Sequence, residues 1–135
     1  MRGVSALARA MEHASPDTVS LVVIWEPVIL SDRRPPGRSV TQPIATLPAQ
    51  RFWDGNLLAS KSVVRTALKH PEQLPAGVHI DESFIVWDIV ALWPPGARWD
   101  DDMPLPEWFD STVVDAEAEL TTRLSALSRT DTPTP

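Results

Sequence analysis

Four tryptophans are each followed by an acid: Trp25–Glu26, Trp53–Asp54, Trp87–Asp88 and Trp99–Asp100. A carboxylate beside an apolar ring loses hydration, so its pKa tends to rise. Several such groups converging on one cleft could do acid–base work or hold a cation. The alternative is that the indoles pack inward while the acids point to solvent or pair with arginine. Successive strand residues face opposite ways, which favours that alternative at 25–26 and 87–88. Asp88 is the most informative acid. It interrupts the apolar run FIVWDIVALW, where an unpaired charge costs several kcal/mol, roughly. Asp88 is therefore expected to pair, with Arg51, Arg65 or Arg98 as candidates, to be hydrogen-bonded, or to lie at an edge.

Other chemistry is poorly provided for. The chain has no cysteine, which removes disulfides, thiolate nucleophiles and thiolate metal sites. DDDMP at 100–104 lacks the spaced oxygen ligands of a calcium loop and reads as a solvated charge run. His13, His70 and His79 are scattered without a second ligand at metal spacing, so no metal or cofactor is expected. There is no Gly-x-Ser-x-Gly elbow and no phosphate-binding glycine loop. RRPPGR at 33–38 is a basic, proline-stiffened surface loop that could hold an anion or an acidic partner.

The elements that must position these residues follow from periodicity. Residues 3–14 read as a helix with Val4, Leu7, Ala8 and Met11 on one face, stopped by SPD at 15–17. VSLVVIW at 19–25 is β-branched and apolar on both faces, as in a central strand covered on two sides. Pro27 cannot donate to a ladder, so Trp25, Glu26 and Pro27 mark the carboxyl end of that strand, where α/β sheets bind ligands. A proline- and arginine-rich loop spans 31–43, and 44–54 is expected to hold a short helix broken at Pro48. Residues 57–70 form a second helix with Leu57, Val64 and Leu68 sharing a face, ended by Pro71. Residues 84–99 read as a β-hairpin about the Pro94-Pro95-Gly96 turn. A third helix covers 115–128, with Ala116, Leu120, Leu124 and Leu127 as its stripe and Asp115 and Glu117 at its positive end. The tail 129–135 is expected to be disordered.

The 135 residues suit one domain, 1–128, and a hydrophobic content of 43% is enough for a real core. A net charge of −6 argues against nucleic acid and anionic membrane as partners. Apolar stretches of about ten residues are shorter than the roughly 20 that a membrane helix needs. No signal peptide is visible, and a cytoplasmic location is expected.

VVIWEPV with Ser31-Asp32 after it, RFWDGNLLAS, VWDIVALWPPGARW and a closing amphipathic helix resemble a divergent bacterial group of thioredoxin-like proteins. The resemblance implies an α/β sandwich with a small mixed β-sheet flanked by helices, its first strand absent here. It also implies a Cys-x-x-Cys pair at or before Met1, so no residue of this chain inherits a redox role. The cis-proline usual before the hairpin strand is replaced by Asp88 or its neighbours. Two expectations follow: a thiol-free or truncated relative that acts by binding, or a redox protein whose cysteines lie upstream of the given start. A third is an interaction module that pairs through an exposed sheet edge with a protein partner or a second copy of itself. Trp25, Glu26, Pro27, Asp32, Trp53, Asp54 and Asp88 are the candidate ligand-site or buried-acid residues. No thiol–disulfide activity is expected of the chain as given.

Overall fold

The computed structural model describes residues 2–29, 33–74 and 78–130. Helix α1 (Arg2–Met11) leads into strand β1 (Leu21–Trp25), a short helix α2 (Arg38–Thr41) with a 3-10 turn (Gln42–Ile44), and strand β2 (Ala49–Trp53). Helix α3 (Leu58–Lys69), strands β3 (Ile89–Leu92) and β4 (Trp108–Ser111), and helix α4 (Glu117–Thr130) complete the order. The protein is mixed α/β. Its strands form two separate two-stranded sheets, β1–β2 parallel and β3–β4 antiparallel, where one small mixed sheet was expected.

The core lies between α1 and α4. Ala10, Leu120 and Leu124 form its buried centre, and Leu7, Met11, Val19, Val90, Leu92 and Trp108 pack around them. On α1 the innermost residues are Ala6 and Ala10, both fully buried, so the face is turned from the expected Val4, Leu7, Ala8, Met11 stripe. The physical reason is crowding: α1 packs against both α4 and the 3-10 turn, whose Ile44 is itself fully buried. Alanine is the side chain that allows such close approach at near-crystalline packing density. Ala116, just before α4, and Leu120 and Leu124 on it are buried as expected, but Leu127 is exposed. Arg9 of α1 donates two hydrogen bonds of 2.6 Å to Glu117 of α4. Helix α4 continues to Thr130, two residues into the expected tail, and 131–135 lie outside the described residues.

Strand β1 pairs with β2 from Leu21 opposite Ala49 to Trp25 opposite Trp53. It is not a central strand covered on two sides. Among the described residues it has a neighbour on one edge only, and Val22 is 51% exposed. The helix expected within 44–54 is instead the 3-10 turn followed by β2. Pro43 and Pro48 interrupt helical bonding, and the apolar ladder of β1 supplies a partner for AQRFW.

Helix α3 buries two faces. Ser60 and Val64 form one, and Ser62 and Thr66 the other, each pair four residues apart. Of the expected Leu57, Val64, Leu68 face, Val64 is buried, Leu57 half-buried and Leu68 exposed. The second buried face exists because residues 99–103 run along the helix. The Trp99 indole and the Met103 amide both donate to Ser62 Oγ, at 3.0 and 2.7 Å, and Thr66 Oγ1 donates to the Met103 carbonyl at 2.6 Å.

That docking also explains the second sheet. The expected turn forms, with Ala97 N–H donating to the Pro94 carbonyl at 3.2 Å and Gly96 at φ +82°. Positive φ at the third residue of a turn favours glycine. The chain does not return as a strand there, because Trp99 to Met103 are committed to α3. The returning strand is Trp108–Ser111, with Ile89 opposite Ser111 and Leu92 opposite Trp108. Residues 84–88 are not strand, and Phe84, Ile85 and Trp87 are exposed.

Candidate functional site

Trp25 and Trp53 stand opposite each other at the carboxyl ends of β1 and β2, and the acid after each turns toward the start of α3. Asp54 Oδ1 accepts the Asn56 N–H at 3.1 Å and Oδ2 accepts the Ala59 N–H at 2.7 Å. Glu26 Oε1 accepts the Ser60 N–H at 2.8 Å. The first backbone donors of a helix have no partner within the helix, and side-chain oxygens satisfy them. Two of the four tryptophan–acid pairs therefore converge, and their acids cap one helix. Pro27 follows directly, and β1 ends before it. Asp32 lies outside the described residues.

Half-burial pushes the Glu26 carboxyl above the ordinary glutamate range, and the neighbouring Asp54 charge pushes the same way. The Ser60 N–H bond, which favours the ionised form, opposes them. Asp54 has both oxygens engaged by N–H donors, whereas Glu26 keeps Oε2 free of any such bond among the described residues. The pair can hold a helix end and one exchangeable proton.

Asp88 is elsewhere. It is exposed rather than buried, sits at φ +52° just before β3, and accepts the Val113 N–H at 3.4 Å. None of Arg51, Arg65 and Arg98 pairs with it. Arg51 donates to the carbonyls of Ile44 and Leu47, and Arg65 to Asp102 and the Asp101 carbonyl. A charge in the middle of an apolar run need not be buried if the strand starts after it, as β3 does at Ile89. Trp87 is 64% exposed, so its indole is not core.

The fourth pair, Trp99–Asp100, supplies the facing wall. An open cleft of about 550 Å³ runs between the ends of β1 and β2, the first turns of α3 and the segment Trp99–Asp101. Ile24, Phe52, Trp53 and Leu58 are its apolar lining, and Asp54, Asp100, Asp101 and Arg65 its charges. Arg65 is engaged at 2.6 Å by Asp102, which Lys69 also contacts. Those two cations hold the Asp102 carboxyl below its ordinary range, Lys69 first. The run 100–104 is therefore not uniformly solvated, since Asp102 is tied to α3 and Met103 is buried.

Sequence reasoning missed Phe52, Leu58 and Ser62 as cleft residues. One signal was present. Ser62 and Thr66 lie four apart, as do Arg65 and Lys69, which marks a helix side built to hold a polar segment rather than an apolar layer. Among the described residues no group of three or more histidines or acids could hold a metal ion, and no helix is long and apolar enough to cross a membrane. His70 Nδ1 lies 3.3 Å from Glu72, and the His13 carbonyl accepts the Ser128 hydroxyl. Comparison of the chain with protein-family models, curated proteins and solved structures found no match.

Proposed function

We propose that the chain is a thioredoxin-like α/β domain that works by binding, not by thiol–disulfide exchange, with the cleft beyond Trp25 and Trp53 as its binding site. The observation that carries this reading is the position of the cleft. It opens outside the carboxyl ends of two parallel strands, the usual ligand position in α/β folds. The element order also supports it: a parallel strand pair joined by a crossover, then an antiparallel pair, then a closing helix packed against the first helix. The reading departs from the family pattern in having β1 and β3 in separate two-stranded sheets. With no cysteine, the chain as given has no thiol for disulfide exchange.

Amide and indole NMR shifts during titration with mixed-sequence peptides test the reading. Concentrated shifts at Trp53, Asp54, Leu58 and Trp99 are expected. Shifts that avoid these residues overturn it, as would insulin disulfide reduction by the purified chain above the rate with dithiothreitol alone.

A second reading is favoured by one further observation. Phe84, Ile85 and Trp87 are exposed on the segment that enters β3, and among the described residues each sheet has two strands. Open edges beside exposed apolar side chains pair readily with another chain. On this reading a second copy adds to the edge. Light scattering over a wide concentration range then gives a dimer mass that falls on dilution, whereas a constant monomer mass removes the reading.

A further inference from the structure

The cleft is lined by exposed apolar side chains and by acids, and this combination selects an occupant. Phe52 is 52% exposed, Leu58 62% and Trp99 40%, so three large apolar side chains stand uncovered around one opening. A site for a free small molecule encloses most of its ligand, whereas this cleft is open. Exposed apolar surface rimmed by polar groups is the mark of a protein partner.

Charge decides which partner. Asp100 and Asp101 are exposed, and neither carboxylate has a side-chain or backbone partner among the described residues. The cation in the cleft, Arg65, is already matched by Asp102 and by the Asp101 carbonyl. Trp99 lies beside these two acids, its indole N–H fixed on Ser62 and its ring 6.4 Å from that of Trp93. A tryptophan ring held in place next to unpaired carboxylates suits a guanidinium or ammonium group, which gains from the ring face and from the acids together. The same fold already uses such a contact elsewhere, with the Arg123 guanidinium 5.1 Å from the Trp108 ring centre.

We propose that this cleft docks a basic, alternately apolar peptide segment of another protein, with an arginine or lysine side chain against Trp99, Asp100 and Asp101 and an apolar side chain against Phe52 and Leu58. The proposal rests on the cleft being the binding site and adds the chemistry of what it binds.

The test uses three fluorescein-labelled hexapeptides that alternate leucine with arginine, with serine or with glutamate. Fluorescence anisotropy is read at low and at physiological salt. The arginine peptide is expected to bind at least about tenfold tighter than the glutamate peptide. Asp100→Asn with Asp101→Asn lowers that affinity about fivefold to tenfold, and Phe52→Ala with Leu58→Ala lowers it about as much. All four residues are exposed, so the variants keep the fold, as far-UV circular dichroism will register. Glu12→Gln with Asp17→Asn, in the connection between α1 and the amino end of β1, leaves affinity within about twofold. If this distal pair weakens binding as much as the rim pair, the attraction is only that of an acidic protein, and the proposal falls. If all three peptides bind equally and Phe52→Ala weakens each, the cleft remains the binding site but the basic partner is wrong. If no peptide binds, both the partner and the site are wrong.

Discussion

Glu26 and Asp54 do the same work with different chemistry. Asp54 gives each oxygen to a backbone donor at the start of α3, so it acts as a helix cap. Replacing a capping aspartate by alanine costs about 1 kcal/mol. Asp54→Ala is accordingly expected to lower the melting temperature by several degrees, and an unchanged transition would show that the cap contributes nothing. Glu26 gives one oxygen to Ser60 and stands beside the Asp54 charge, half-buried, with its pKa raised. A raised folded-state pKa means that protonation favours the folded form. The favourable contribution is complete below the ordinary glutamate pKa and is lost as pH rises through the folded value. Glu26→Gln keeps an acceptor for the Ser60 N–H and removes the charge. It should stabilise the protein at pH 7, by less than about 1 kcal/mol because the site is partly solvent-screened. The gain should vanish as pH falls below 4, where wild-type Glu26 is itself protonated. A variant that is less stable than wild type at pH 7 would mean that the ionised carboxylate, held by the Ser60 N–H, is the preferred form.

At the scale of the element, α3 organises the cleft because it is packed on two sides. Ser60 links the end of β1 to the segment before β3, its N–H donating to Glu26 and its Oγ accepting the Val86 N–H at 2.7 Å. Ser62 holds the opposite wall by accepting from both Trp99 and Met103. Ser62→Ala leaves the buried Met103 N–H without an acceptor, at a cost of about 1–3 kcal/mol. It also frees the Trp99 indole, so a red shift in tryptophan emission should accompany the lower melting temperature. Loss of stability with no spectral change would indicate that Trp99 is held by packing alone. This helix also marks where the sequence could be read and where it could not. Its span was legible from Pro71 and from helical spacing, as were α1, β1, the Ala116–Leu124 stripe and the turn at Gly96. Its packed faces were not, because apolar spacing finds the side that meets an apolar layer, whereas α3 meets a loop through hydroxyls. The same commitment of residues 99–103 to α3 displaced the hairpin return from the Pro-Pro-Gly turn to Trp108. Strand β2 was missed because Gln50, Arg51 and Phe52 are all exposed, which leaves an edge strand without alternation. Of the site, the convergence of Glu26 with Asp54 was legible as a possibility. The exclusion of Asp88 was not, since it depended on where β3 starts.

For the whole molecule, ion pairs join elements that are distant in sequence. Arg9–Glu117 joins α1 to α4, and Arg65 and Lys69 join α3 to the segment at Asp102. The cations hold both Glu117 and Asp102 below their ordinary carboxylate values. For acids with lowered folded-state pKa, the stabilisation is present above the unfolded value and is lost as pH falls through the folded one. Glu26 works in the opposite sense over the higher part of the same range. The melting temperature should therefore hold or rise slightly from pH 7 to 5, then fall below about pH 4 as the two paired acids take up protons. Asp102→Asn isolates one arm of this profile. It should melt below wild type at pH 7, and the two curves should converge under acid, where wild-type Asp102 has lost its charge as well. Because Arg65, Lys69 and Asp102 reach solvent, 1 M salt at pH 7 should narrow the same gap. Melting curves for the two proteins that stay parallel from pH 7 to 3 would show that Asp102 holds the segment by shape and not by charge. The Trp99 wall of the cleft would then persist in acid, whereas charge-based holding requires it to loosen there, with the tryptophan emission shift appearing before global unfolding.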